Sequence, residues 1–409
     1  MKTVPSIDRL IKEKRAKVFT ASEIKDMIRR GEIPSADDVD VVTTGTFGIM
    51  SGTMAIFTLP VAPPGSFGKA DTIKLNGVPG YPGPCPNENL GLVDCVVYGT
   101  SKYDMNYGGG HLFKDLVKGD TIQVEAVSDG KVFRKEMTLH EIPFARMVVT
   151  RGAFMNYTAF VNPEESAFDT IFSVTGMAGP LKEASVSGCG EINPLQNDPS
   201  RAYLKEGAPI LLNGADGRII GEGTRSTSLR PNLSAAADMK DMDAGMMGGF
   251  ITSAGPECMT SFAAAIPIID ENALKGVSVT DENIRLPIAD IQTRVPFSSD
   301  DYGSVWNGTC RKIMTDEKKC ISCYRCIAQN NCPVKALTPS SINVSECVVC
   351  GSCIRTCTGN VFTADLGSLD INGSSIPITL RQSDRNRAEE LTLRLKERIL
   401  DGKWNIGGI

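Results

Sequence analysis

Nine of the thirteen cysteines in this chain of 409 residues fall between Cys310 and Cys357. Cys320, Cys323 and Cys326 are spaced C-x2-C-x2-C, and Cys332-Pro333 follows after five residues. Cys347, Cys350 and Cys353 repeat the triplet, and Cys357 follows after three residues. Gaps of two residues let a chain curl around an inorganic cluster and turn its N–H groups toward sulfide, so this spacing predicts iron–sulfur chemistry. C-x2-C pairs also bind zinc, but eight cysteines in two near-identical runs favour two [4Fe–4S] clusters. With only His111 and His140 in the chain, a histidine-rich metal site is excluded.

The runs are similar to those of bacterial two-cluster ferredoxins, where the fourth cysteine of each run ligates the other cluster. That likeness implies one cluster on Cys320, Cys323, Cys326 and Cys357, and a second on Cys347, Cys350, Cys353 and Cys332. The longer gap before Cys332 and Thr358 in place of a proline depart from the pattern. Two such clusters hold two electrons one at a time, which suits a reaction that consumes an electron pair. No nicotinamide fingerprint competes, because Gly214-Ala-Asp-Gly217 does not match G-x-G-x-x-G.

The other chemistry-bearing residues are scattered. Cys85 lies in the rigid loop Tyr81-Pro-Gly-Pro-Cys-Pro, and Cys189 is flanked by Gly188 and Gly190. Both are candidates for a reactive thiolate or a metal ligand, and Cys95 is a weaker one. Cys258 reads as a buried small hydrophobe. Three of these four thiols would suffice for a third cluster with an open iron. Tyr107-Gly108-Gly109-Gly110-His111 offers backbone amides to an anion and His111 as a proton donor near neutral pH. Arg225, in Gly221-Glu-Gly-Thr-Arg, offers an anion-binding guanidinium.

These residues need elements to hold them. Ser22 with the following Glu-Ile-Lys-Asp-Met-Ile-Arg-Arg predicts a capped helix ending at Gly31. Val39 to Thr44 predicts a strand that enters a glycine-rich turn at Gly45-Thr46-Phe47-Gly48. Hairpins are expected at Asp129-Gly130 and at Asn213-Gly214, and a helix capped by Ser383 should run through Leu400 to Gly402. The expectation is a mixed α/β (or α+β) catalytic body over 1–305. A two-cluster ferredoxin-like module follows at 312–364, then a tail with a terminal helix at 365–409.

Composition narrows the function further. A formal charge of −5 leaves no basic face for nucleic acid. The least charged stretch, 244–269, carries Glu257, two prolines and several glycines, which argues against a membrane span. The N-terminal residues lack the apolar centre of a signal peptide, so a cytoplasmic protein is expected. In that compartment thirteen cysteines mean metal or thiol chemistry rather than disulfides.

Val41-Val-Thr-Thr-Gly-Thr-Phe-Gly48, Tyr107-Gly-Gly-Gly-His111, Asn193-Pro-Leu-Gln-Asn-Asp-Pro199 and Gly223-Thr-Arg225 together resemble the anaerobic homocysteine-biosynthesis family. Its members include L-aspartate semialdehyde sulfurtransferases. With the cysteine-rich segment on the same chain, the likeness is to the branch called methanogenesis marker protein 16. The resemblance implies reductive sulfur insertion, in which an aldehyde, a sulfide equivalent and two electrons give a thiol and water. It also implies a cysteine soon after the Thr-Thr-Gly-Thr-Phe-Gly run and another in a hairpin, where this chain has Ser51 and the neighbourhood of Lys131. A thiol mechanism would therefore need Cys85, Cys95 or Cys189, with the anion held by Tyr107, Gly108, Gly109, Gly110, Thr46 and Arg225.

The expected substrates are a small anionic aldehyde, with sulfoacetaldehyde preferred to aspartate semialdehyde, and sulfide or another sulfur donor. The expected products are coenzyme M or homocysteine respectively. An external low-potential reductant completes the partners, with neither nucleic acid nor membrane among them and a homo-oligomer left open. The rival expectation is a non-catalytic electron or sulfur carrier for a separate sulfurtransferase, which a body of this size argues against.

Overall fold

The computed structural model describes residues 2–83 and 88–407. The protein is mixed α/β and is built on large sheets. Among the described residues the larger sheet has fourteen strands and the second has six. The long strand Gly255–Pro267 is buried throughout and lies antiparallel to Val41–Ile49, with Phe262 opposite Thr46. Small residues make that burial possible, since Gly, Ala, Ser and Thr fill much of both strands.

The Thr-Thr-Gly-Thr-Phe-Gly run does not turn. It continues as a strand because its glycines make room for chain crossing above it. A Cβ on Gly45 would lie 2.7 Å from Thr392 Cγ2 and 2.8 Å from the Ala388 carbonyl oxygen, so the C-terminal helix Arg385–Leu400 rests on this glycine. A Cβ on Gly48 would lie 2.9 Å from Ser383 Oγ. Both expected hairpins are present. Ser128 pairs with Lys131 around Asp129-Gly130, and Leu212 with Ala215 around Asn213-Gly214. All four turn residues have positive φ, as two-residue turns of this hand require.

Two helix caps sit where a neighbouring residue was expected to act. Thr20, not Ser22, caps Ala21–Arg29, in a reciprocal capping box with Glu23. Asp384, not Ser383, caps the terminal helix by accepting from the N–H groups of Asn386 and Arg387. Ser383 Oγ instead accepts from Gly188 N at 2.7 Å.

The cysteine-rich segment closes on itself. Met314–Thr315 pairs with Phe362–Thr363, and Leu337–Thr338 pairs with Ser341–Ile342. Short helices at Ile327–Asn330 and Ser352–Thr356 adjoin the two cysteine triplets and pack together. The chain then returns to the body. Ser374–Arg381 runs parallel to Ala184–Val186 in the second sheet, and Ser368–Ile371 forms its edge. Residues 368–400 are therefore interleaved with the body in space.

Beneath the terminal helix, Arg385 is almost fully buried between Glu191 Oε1 at 2.6 Å and Asp281 Oδ2 at 2.5 Å. Arg29 reaches the other oxygen of Glu191, and buried Lys25 donates to Asn197 Oδ1 and the Val277 carbonyl. This charge cluster fastens four separate stretches of chain. Among the described residues, no helix is long and apolar enough to cross a membrane.

Candidate active site

Two strand ends and an arginine-bearing loop meet around a cavity of about 270 Å³. Its wall includes Met50 and Ser51, which follow Val41–Ile49, and Arg151 and Phe154 from Phe144–Phe154. Ser187 and Gln382 close one side, and Arg225 and Arg230 lie at the mouth. Arg151 is half-buried, while the other two arginines are exposed. Among the described residues none of the three has a carboxylate within ion-pair distance, and the wall contains no acidic residue. Three unpaired guanidiniums around one small cavity make an anion site. A larger hollow of about 620 Å³ lies where the two chain ends meet and gathers no comparable set of groups.

Glu257 lies behind this wall. It is buried beside Ser51, where Met50 N donates to the Cys258 carbonyl at 2.8 Å, and its Oε2 has no partner. Burial pushes its carboxyl above the usual range, against the pull of the Ser51 hydrogen bond and the Arg151 charge.

The residues expected from the sequence are divided among different places. Arg225 lines the cavity. Thr46 is buried on Val41–Ile49 itself, three residues before the cavity wall begins at Ile49, with its hydroxyl 3.7 Å from the Cys189 sulfur. Cys189 is inaccessible, and burial pushes its thiol up to about 11. Cys95 and Cys258 are likewise buried, each pushed up to about 12 by desolvation. Such thiols are poor nucleophiles. Among the described residues no three histidine, cysteine or acidic side chains are gathered to hold a metal ion, and Cys85 lies outside the described residues.

The amides of Gly108, Gly109 and Gly110 are spent within the protein, on His111 Nδ1 and the Ser101 and Gly99 carbonyls, and so are not offered to an anion. Their faces are filled by protein: a Cβ on Gly109 would lie 2.1 Å from the Tyr98 carbonyl oxygen, and one on Gly110 2.9 Å from Cys258 Cα. They let the helix Gly109–Lys118 press against two strands. His111 Nδ1 accepts from Gly108 N at 3.3 Å, its Nε2 has no partner, and burial pushes the ring down to about 4. It is a neutral imidazole at pH 7 rather than the proton donor the sequence suggested. Tyr107 stacks on it and donates to Asp115 Oδ2 at 2.6 Å. Both belong to a separate cavity of about 280 Å³ against the cysteine-rich segment.

In that segment burial first, and then the neighbouring Cys332, push the thiols of Cys347, Cys350 and Cys353 up. Cys332 Sγ accepts from Ala336 N at 3.2 Å, and Cys347 Sγ from Val349 N at 3.4 Å. Cys320, Cys326 and Cys357 pack on the same small core, while Cys323 is exposed. Cys350 also belongs to the main core of the body. Its carbonyl accepts from Arg381 N at 2.9 Å, and the next residue, Gln382, is cavity wall.

The family model for homocysteine biosynthesis enzymes acting in sulfur incorporation matches residues 16–406. The chain belongs to that family. It is 45% identical over 408 residues to an uncharacterized protein of Methanothermobacter thermautotrophicus, covering 99% of this chain and 94% of that one. An uncharacterized protein of Methanocaldococcus jannaschii is 41% identical, covering 96% of this chain and all of its own length. An L-aspartate semialdehyde sulfurtransferase of the same organism is 32% identical over 71% of this chain and 58% of its own length. No solved structure matches.

For an enzyme of sulfur incorporation, sequence reasoning missed Arg151, Arg230, Gln382 and Glu257 as parts of one place. Glu257 alone left a signal, as the lone carboxylate in a 26-residue apolar stretch. The arginines left none, because solvent-facing and cavity-facing guanidiniums look alike in a sequence.

Proposed function

We propose that this protein converts a small anionic aldehyde to a thiol, using sulfide and two electrons, and that its substrate is sulfoacetaldehyde and its product coenzyme M. The observation that carries the reading is the cavity with three unpaired arginines and no acidic wall residue. A sulfonate needs only cations and hydrogen-bond donors. Aspartate semialdehyde also brings an ammonium group, for which this wall offers no carboxylate. Sulfide adds to the carbonyl carbon, water leaves to give a thioaldehyde equivalent, and two electrons with two protons reduce it. Free sulfide is preferred to an enzyme persulfide because no described wall residue is a cysteine.

The cysteines suit two [4Fe–4S] clusters. Cys332, Cys347, Cys350 and Cys353 would hold one, with backbone N–H donors already on the sulfurs of Cys332 and Cys347, and Cys320, Cys323, Cys326 and Cys357 would hold the second. When bound, the clusters supply low-potential electrons singly. Arg225 and Arg230 draw the anion in, and Arg151 fixes it beside Ser51. The marker protein 16 branch and a cytoplasmic, anaerobic setting belong to the same proposal.

The test is anaerobic. Reconstituted protein receives sulfide, a low-potential reductant and one aldehyde, and the trapped thiol is identified by mass. Coenzyme M from sulfoacetaldehyde alone is the expected result. Homocysteine alone would overturn the substrate, and thiol from neither would favour a carrier role.

A further inference from the structure

We infer that Ser51 and Glu257 form a proton-delivering pair behind the arginine-lined cavity, Ser51 giving its proton to the oxygen that leaves the substrate and Glu257 replacing it. This rests on the reading above. The geometry is specific. Ser51 lines the cavity, while Glu257 is buried behind it on the strand Gly255–Pro267, and the hydrogen bond from Met50 N to the Cys258 carbonyl at 2.8 Å sets the two residues side by side. Glu257 Oε2 and Arg151 Nε are both buried without partners. A buried carboxylate with one oxygen unpartnered is costly, and a proton on Oε2 removes that buried charge. Arg151 is the charged group that faces it. Burial outweighs Arg151 and Ser51, so the acid form persists above the ordinary range for glutamate.

The wall offers few rivals. It holds no histidine or carboxylate. The Ser187 hydroxyl is spent on Gln382 Oε1 at 3.0 Å. Tyr157, stacked on Phe172, is the remaining phenol. In the step itself, sulfide addition leaves carbon bearing one hydroxyl and one thiol. The C–O bond breaks as the Ser51 proton joins the hydroxyl to give water. The Glu257 proton moves to Ser51, and the substrate S–H proton returns through Ser51 to Glu257 as the C=S bond forms. Atoms and charge balance, and no electron is needed until the later reduction.

Glu257→Gln, Ser51→Ala and Tyr157→Phe are compared with the parent enzyme by turnover and by infrared titration of the carboxyl band. Glu257→Gln should lower kcat by about 100-fold, leave KM within about threefold, and erase the loss of rate on the alkaline side. Tyr157→Phe should keep that limb. The infrared band should titrate above the ordinary value of about 4.3, vanish in Glu257→Gln, and move higher in Ser51→Ala as the downward pull of the hydroxyl is lost. Full kcat with an unchanged pH profile in Glu257→Gln would overturn the pair, as would an ordinary midpoint indifferent to Ser51. If the parent turns over neither aldehyde, the infrared result still decides the pair, and the reaction reading fails separately.

Discussion

Replacing the three cavity arginines one at a time should give losses graded by burial. Arg225 and Arg230 are exposed at the mouth. Solvent screens charges placed there, and such an ion pair is worth at most about 1 kcal/mol, which is roughly fivefold in kcat/KM. Arg151 is half-buried and has an unpartnered buried Nε. A charge-assisted hydrogen bond from such a group contributes about 1.5–3 kcal/mol, or roughly 12- to 160-fold. Arg225→Ala and Arg230→Ala should therefore each cost about fivefold, and Arg151→Met more than tenfold. The assay is thiol formation from sulfoacetaldehyde at two salt concentrations. Added salt should weaken the parent enzyme, and the Arg225/Arg230 double variant should lose much of that sensitivity. Arg151→Met should keep it. If Arg151→Met stays within twofold of the parent, or if Arg225→Ala is the more damaging, the anion does not bind as argued.

Arg385→Met should destabilise the fold by about 3–5 kcal/mol, because it leaves Glu191 and Asp281 buried without their shared cation; denaturant unfolding measures this. Cys350→Ala and Cys320→Ala should each remove roughly half the bound iron, since they belong to different proposed clusters. Iron analysis that leaves either variant fully loaded would overturn the assignment. His111 is pushed down to about 4 by burial, whereas an unfolded histidine titrates near 6.5. Between those values the unfolded chain binds the extra proton, so stability should fall as pH drops from 6.5 toward 4. His111→Gln should flatten that slope in pH-dependent unfolding.

The elements were legible where local chemistry decides them. Asp129-Gly130 and Asn213-Gly214 announce hairpins because few other residues accept positive φ at both turn positions. The helix ends at 20 and 384 were missed by one or two residues, because Thr20 and Ser22, or Ser383 and Asp384, are interchangeable as caps until the backbone is known. The glycine runs misled for a different reason. Gly45, Gly48, Gly109 and Gly110 serve close packing between elements far apart in sequence, and the same glycines in a local reading look like turns or anion cradles. The cavity was the least legible feature. Its wall draws on residues 49–51, 151–157, 171–172, 187, 225–232 and 382, and no periodicity or spacing joins such distant positions.

The stretch that looked like a tail carries the coupling between the two halves of the proposed chemistry. Arg381 is fully buried, and its guanidinium donates to the carbonyls of Val305, Cys310 and Leu366, on either side of the cysteine-rich segment. It also stacks on Trp306, 4.5 Å from the ring centroid. Burial lowers its pKa only to about 10, so it remains a cation at neutral pH, held by three carbonyls and the Thr309 hydroxyl with its Nε unpartnered. Its backbone N–H holds the Cys350 carbonyl, while Gln382 beside it is cavity wall and donates to the Ile171 carbonyl at 2.5 Å. Two consecutive residues thus touch the cysteine set and the substrate cavity at once. A shift of the cysteine-rich segment against the body must move Arg381 or break its four side-chain hydrogen bonds, and moving Arg381 moves Gln382. The fold thus holds the cysteine-rich segment and the arginine-lined cavity in one fixed relation, which a freely tethered carrier would have no reason to build.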